Sequence, residues 1–551
     1  MNRLVITLVI FFGGNAALAV SSFGAEEKFT TGASDPLIRF VDEHIQKVWT
    51  ENEIKPSGIA DDAEWVRRVH LDIVGHVPSG KVVEAFLRDK DQAKRSKLIE
   101  TLLADPGYVR NFTTYWTNTL IGRVTPEKTN RGALEKFLRE SFAKNRPWNE
   151  IAYDLLSAEG RYDENGATNY LLAQLQLNPN SEEYVVEATA KTARVFLGLQ
   201  VQCTQCHNHP FNDWKQNQFW EFNSFFRQMR REDHEKYNAS TGQMDDDYSE
   251  LVHRDFDGPV YFETRAGLML VAYPKYFGTE VDPGNETNRR LELAKSITKD
   301  DTNKWLAKAI VNRMWGHYFA NGFTRPIDDM GPHNPASHPE LLDRLTDEFV
   351  KSGYDLKQLT RWICNSEAYN LTSKFNPKNE IDNPANGEVP LFSHMYVKPL
   401  QVEQLYESLL VATAADTARA ESSPAGSDAR SQKQREDWTQ QFLRIFGNDE
   451  EDSAMYSGTI PQALLMMNGQ LVKAAISGDK GSYLASVLAN PAYKKEPDRI
   501  RALYLAALGR TPSSSELKHM QGMMSKSPDK LMAYQDLYWA LLNSNEFIVN
   551  H

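Results

Sequence analysis

Val201-Gln202-Cys203-Thr204-Gln205-Cys206-His207-Asn208-His209-Pro210-Phe211-Asn212-Asp213-Trp214 holds two of the three cysteines in a 551-residue chain, and two of its 13 histidines. The stretch before it, 183–200, repeats small and apolar residues near the helical period, and Gly198 is placed to end that helix. Pro210 prevents a regular helix from running on through the motif. The motif thus sits where one element hands over to the next, a common place for function. Cys-x-x-Cys-His is the attachment signature of a c-type haem. Cys203 and Cys206 are spaced i and i+3, so one helical turn puts both thiols on one face. There they can add to the two vinyl groups of a porphyrin, and His207 can reach the iron.

Other chemistries fit the same residues. Cys203, Cys206, His207 and His209 could bind zinc or non-haem iron directly, since thiolate and imidazole suit both. Four ligands within seven residues is tighter than the usual split zinc pattern. A redox pair or a plain disulfide are further readings. If haem is attached, His207 is the expected proximal ligand. His209, two residues on, is too near to serve the opposite face. A distal ligand must come from elsewhere, and Met330, His333 and His338 are candidates.

The stretch from Cys203 to Trp214 closely resembles the centre of the planctomycete-type cytochrome domain, the domain of unknown function numbered 1549. Trp65 to Pro78 is similar to that domain's opening helix. Asn312–His317, Ser337–Leu342, Ser457–Gly469 and Leu503–Pro512 resemble its usual partner, the domain numbered 1553. The resemblance covers nearly everything after residue 35. It implies haem c and two domains, and it brings no established reaction.

Composition narrows the class. With 74 acidic against 62 basic side chains, the net charge of −12 lacks the basic footprint of a nucleic-acid binder. Residues 1–25 read as a signal peptide: Arg3, an apolar run, then Phe23-Gly24-Ala25 as a small-residue cleavage site. A periplasmic or secreted protein follows, with no later stretch apolar enough to span a bilayer. Outside the cytoplasm free thiols oxidise, and three cysteines cannot make a disulfide framework. Cys364 is expected in an apolar helical position. The implied partners are a redox protein or an extracytoplasmic assembly.

Periodicity predicts a mainly α, multi-helical chain of two domains with a small β insert. The N-terminal domain, 36–257, opens on helices at Ile38–Ile54 and from Trp65, with Phe40, His44, Ile45 and Val48 on the first face and Asp61 or Asp62 as the second N-cap. Residues 229–258 are polar and read as a surface excursion. Val260–Thr264 and Leu268–Tyr273 are the one clear β signal, in an insert or boundary at 258–284. The C-terminal domain, 285–551, carries its strongest helix at Trp305–Phe319 and a polar loop near 418–435. Arg313 and His317 are expected in a buried polar network.

One loop in that domain is a possible second site. Gly322 to Pro339 is stiffened by proline and glycine, and groups Arg325, Asp328, Asp329, His333 and His338. Ser337-x-x-Glu340 also reads as a capping box. Arg325 could hold a propionate or an anionic substrate, and the aspartates could fix a histidine tautomer. This loop and the cysteine motif are expected to share a cleft at the domain interface.

Overall fold

A computed structural model describes residues 35–416 (except 182, 212 and 301), 437, 438, 441 and 465–551. The expected signal peptide, 1–25, and the expected polar loop near 418–435 lie outside the described residues. The fold is mainly helical, with small β-sheets.

Local chemistry explains where the first helices begin. Pro36 opens the Pro36–Glu51 helix after Asp35, whose side chain accepts from the Leu37 amide. Its buried stripe is Leu37, Ile38, Val41, Ile45 and Trp49. That stripe is rotated from the expected face, leaving Phe40, His44 and Val48 at its margin. Asp61 caps the Asp62–Ile73 helix by accepting from Ala63 and Glu64. This second helix is buried on every side from Glu64 to Ile73, charged residues included. Arg67 donates to the carbonyls of Ala507 (3.2 Å) and Phe547 (2.7 Å). Arg68 donates to those of Tyr369 (2.7 Å) and Leu371 (2.9 Å), and pairs with Glu64 at 2.8 Å. Asp72 accepts from Tyr369 Oη and Asn550 Nδ2, each at 2.7 Å, and pairs with Lys398 at 2.8 Å. A helix with buried charges is tenable because each charge finds a partner.

Two apolar clusters surround this helix. One runs from Leu37 to Tyr396, so packing is continuous across the 258–284 segment. The other gathers residues between Leu400 and Phe547, with Leu71 and Val77 of the N-terminal part inserted into it.

The expected surface excursion after residue 229 is instead a long hairpin. Met229–Asn238 pairs antiparallel with Gln243–His253, and Gly160–Arg161 adds a short third strand beside Gln243–His253. Gly242, at φ +71°, closes the turn by donating to the Asn238 carbonyl. Both faces are charged, so no apolar alternation marks these strands; the backbone ladder and pairs such as Arg161 over Tyr248 hold them. The expected strands at Val260–Glu263 and Met269–Ala272 do form, as a separate hairpin.

Ser337 does not cap the Pro339–Lys351 helix. His338 is the N-cap residue, with no side-chain cap, and Ser337 Oγ lies 2.9 Å from His338 Nδ1. Glu340 turns instead toward His44, at 3.7 Å.

Candidate functional site

The motif is delivered by an irregular helix end. The Val186–Thr192 α-helix widens into a π-turn, Ala193–Leu197, which Gly198 stops at φ +66°. The Gly198 carbonyl accepts from the Met330 amide at 2.8 Å. A Cβ on Gly198 would lie 2.4 Å from Met330 Cε. Left-handed backbone and close approach both demand glycine here. Gly198→Ala is expected to lower stability by roughly 1–3 kcal/mol, the range for strained backbone. A denaturant midpoint equal to wild type would show that the Met330 loop yields instead.

The motif then makes a single 3-10 turn, Gln202–Gln205, rather than an α-turn. Side chains at i and i+3 eclipse in this geometry, which suits Cys203 and Cys206 to one face. Their neighbours pin the turn. Thr204 is buried and donates to the Val201 carbonyl. The Gln205 carbonyl accepts from Gln216 Nε2 and Trp220 Nε1, both at 3.1 Å. Gln202 donates to Glu187 at 3.0 Å. The two cysteines are exposed and free. Partial desolvation, with the Asp329 carboxylate adding to it, pushes the Cys203 thiol up.

His207 Nδ1 lies 2.7 Å from the Asn208 carbonyl. A carbonyl only accepts, so Nδ1 donates, and Nε2 takes no part in this bond. His209 is arranged in the opposite sense: its Nδ1 accepts from the Phe211 amide at 3.2 Å. Burial, with His333 next, pushes the His209 pKa down.

The Gly322–Pro339 loop meets the motif, but not with all its polar residues. The rings of His209 and His333 are 5.6 Å apart. His333 Nε2 donates to Asp329 at 3.0 Å, while its Nδ1 is buried without a hydrogen-bond partner among the described residues. Asp328 is held by Arg313 at 2.8 Å and by Arg194 of the π-turn at 3.6 Å. Asp329 and His333 thus face the cysteine motif, while Met330 packs on Gly198 just before it and Asp328 is held between Arg313 and Arg194. Arg325 and His338 do not face the motif. Arg325 donates to the Pro384 carbonyl, and His338 is enclosed by His44, Phe323 and Phe392. Arg313 and His317 sit in buried networks, His317 Nε2 donating to the Asp72 carbonyl at 3.0 Å. Cys364 is fully buried.

Sequence reasoning missed Arg194 and Gln216. The only signal for them was proximity in the chain to the motif. Among the described residues no three histidines, cysteines or carboxylates gather closely enough to hold a metal ion. The donor set does fit a c-type haem: two accessible thiols on one face, followed by an imidazole whose Nδ1 is fixed and whose Nε2 is available. No helix among the described residues is long and apolar enough to cross a membrane.

Comparison with known proteins agrees with this layout. Residues 40–231 match the family PSCyt2, described as protein of unknown function (DUF1549), and residues 289–524 match PSD1, protein of unknown function (DUF1553). No curated protein and no solved structure matches the chain. The chain is a two-domain protein in which a DUF1549 domain is followed by a DUF1553 domain.

Proposed function

We propose that this is an extracytoplasmic c-type haem protein, periplasmic or secreted, acting in electron transfer or as an oxidoreductase. The observation that carries the reading is the state of His207. Its Nδ1–H is committed to the Asn208 carbonyl, which leaves Nε2 for iron, directly beside two free thiols on one turn. Cys203 and Cys206 would hold the porphyrin through thioethers, and His207 would be the proximal ligand. The bound group would supply one-electron chemistry. The chain's own residues orient the imidazole and hold the turn rigid through Gln216 and Trp220. A redox partner, or an extracytoplasmic assembly, is the corresponding partner class.

The test is intact mass and a pyridine haemochrome spectrum of full-length protein made alongside a haem-attachment pathway. A mass increment of one haem is expected, lost in Cys203→Ser/Cys206→Ser. His207→Ala should keep the increment and lose the native axial-ligand spectrum. No covalent haem in wild type would sink the reading.

A second reading starts from the His209–His333 pair, whose rings lie 5.6 Å apart. Here zinc or non-haem iron would sit directly in the cysteine–histidine cluster, or the two domains would serve as a scaffold. Metal analysis separates the two. In the haem protein His209→Ala perturbs the spectrum modestly. Loss of metal as complete as in His207→Ala would favour direct ligation.

A further inference from the structure

The hairpin Val260–Glu263/Met269–Ala272 carries apolar side chains that no described part of the chain covers, and it is fastened to the cysteine turn. Gln216 Nε2 donates both to the Gln205 carbonyl inside Cys-x-x-Cys and to the Glu263 carbonyl at the hairpin's end, at 3.1 and 3.0 Å. Trp220, which donates to the same Gln205 carbonyl, stacks on Phe262 with ring centroids 5.8 Å apart. The face that bears Phe262 is therefore the one that looks toward the motif.

Register identifies what else lies on that face. Directly opposed residues on an antiparallel pair share a face. Phe262 is opposed to Leu270. The next pair outward is Thr264 with Leu268, joined by a hydrogen bond from the Thr264 amide to the Leu268 carbonyl. Phe262 is buried, yet Leu270 is 44% and Leu268 62% exposed. The change follows from where the supporting helix stops: Gln216–Asn223 begins at the residue that ties turn to hairpin. Beyond it the hairpin overhangs. Phe211, within the motif, is 80% exposed.

We infer that Leu268 and Leu270 form an apolar wall for the haem attached at Cys203 and Cys206. This rests on the haem reading above and adds the residues that exclude water from the macrocycle. A flat apolar macrocycle is the fitting occupant because one glutamine side chain ties the hairpin to the backbone of the turn that carries both thiols. Removing water from one edge of the macrocycle raises its reduction potential, because burial disfavours the more highly charged ferric state.

The test uses the full-length haem-loaded protein and the pair Leu268→Gln/Leu270→Gln. Both residues are exposed, so the fold should persist, as checked by far-UV circular dichroism and thermal melting. The reduction potential should shift negative and the Soret band should move. Loss of attached haem at an unchanged melt would likewise support the wall. Tyr261→Gln/Val271→Gln, on the opposite face of the same hairpin, should leave potential and spectrum at wild type. Three results overturn the inference: a wild-type potential in the Leu268/Leu270 variant with haem attached, an equal shift from the opposite face, or a change of oligomeric state with the potential unmoved. The last would assign the face to a second copy of the chain. Wild-type protein without covalent haem removes the reading beneath it as well, and the mass alone tells that case from the others.

Discussion

Acidification from pH 7 to pH 4 should remove most of the folding stability. Burial pushes His70 and His317 down to about 4 and His338 to about 3. For His317 the nearby Lys398 adds to the effect, and for His338 it is His44. Each folded value lies below the unfolded one near 6.5. Below pH 6.5 the unfolded chain therefore takes up protons that the native chain refuses, and stability falls with pH until the folded values are reached. By pH 4 each histidine contributes a loss of roughly 3 kcal/mol. His551 shifts in the same direction. Asp42 opposes them: burial raises its carboxyl to about 7, so protonation near neutrality favours the fold and offsets about 4 kcal/mol. With all four histidines counted, the net loss is of the order of 8 kcal/mol, comparable with a typical domain stability of about 5–15 kcal/mol. Urea titrations at pH 7, 6 and 5 would measure it. In His338→Phe, where the ring joins Phe323 and Phe392, the pH slope should drop by about one proton. A flat stability between pH 7 and 5, or an unchanged slope in that variant, would refute the account.

Asp72→Ala should be among the most damaging single substitutions in the chain. Asp72 is fully buried and satisfies Lys398, Tyr369 and Asn550 at once. Removing it leaves an ammonium group without its counter-charge and two polar side chains short of a partner. Breaking a buried pair from one side typically costs about 3–5 kcal/mol. Lys398→Met in the same background should restore part of the loss, because the stranded charge goes with it. A denaturation midpoint for Asp72→Ala within about 1 kcal/mol of wild type would mean that water already reaches this network.

Much of the helical architecture was legible because it is written locally. Asp61 marks a helix start by its own chemistry, and Gly198 marks a stop by its left-handed backbone. The hairpin at 229–253 was not legible, since charged residues on both faces leave no two-residue apolar rhythm. Nor was the depth of the Asp62–Ile73 helix. Its sequence shows one apolar face, but its charged residues are buried by partners far along the chain. The site was half legible. Cys203, Cys206 and His207 stand in one motif, and its spacing could be read directly, but not the 3-10 turn that carries it. In the Gly322–Pro339 loop, composition gathered five polar residues that folding separates. Asp329 and His333 turn to the motif, Asp328 to Arg313 and Arg194, whereas Arg325 and His338 turn away into carbonyl and aromatic surroundings. Residue types alone do not reveal which side of a loop each will face.

The buried guanidinium groups of Arg67 and Arg68 also bear on how the chain reaches its fold. They are satisfied by carbonyls between 301 and 483 residues further along. A nascent chain that has delivered only its first half can pair Arg68 with Glu64 but lacks the carbonyls to which Arg67 and Arg68 donate in the fold. Closing so long a loop adds little entropy per extra residue, but it must precede the contacts that reward it, and folds governed by such contacts form slowly. The border between the two matched families, 231 to 289, is therefore not a place to cut. A fragment ending there should be a poor folder with its opening helix exposed to proteases, and supplying the second fragment separately should rescue it only by rebuilding that distant clasp.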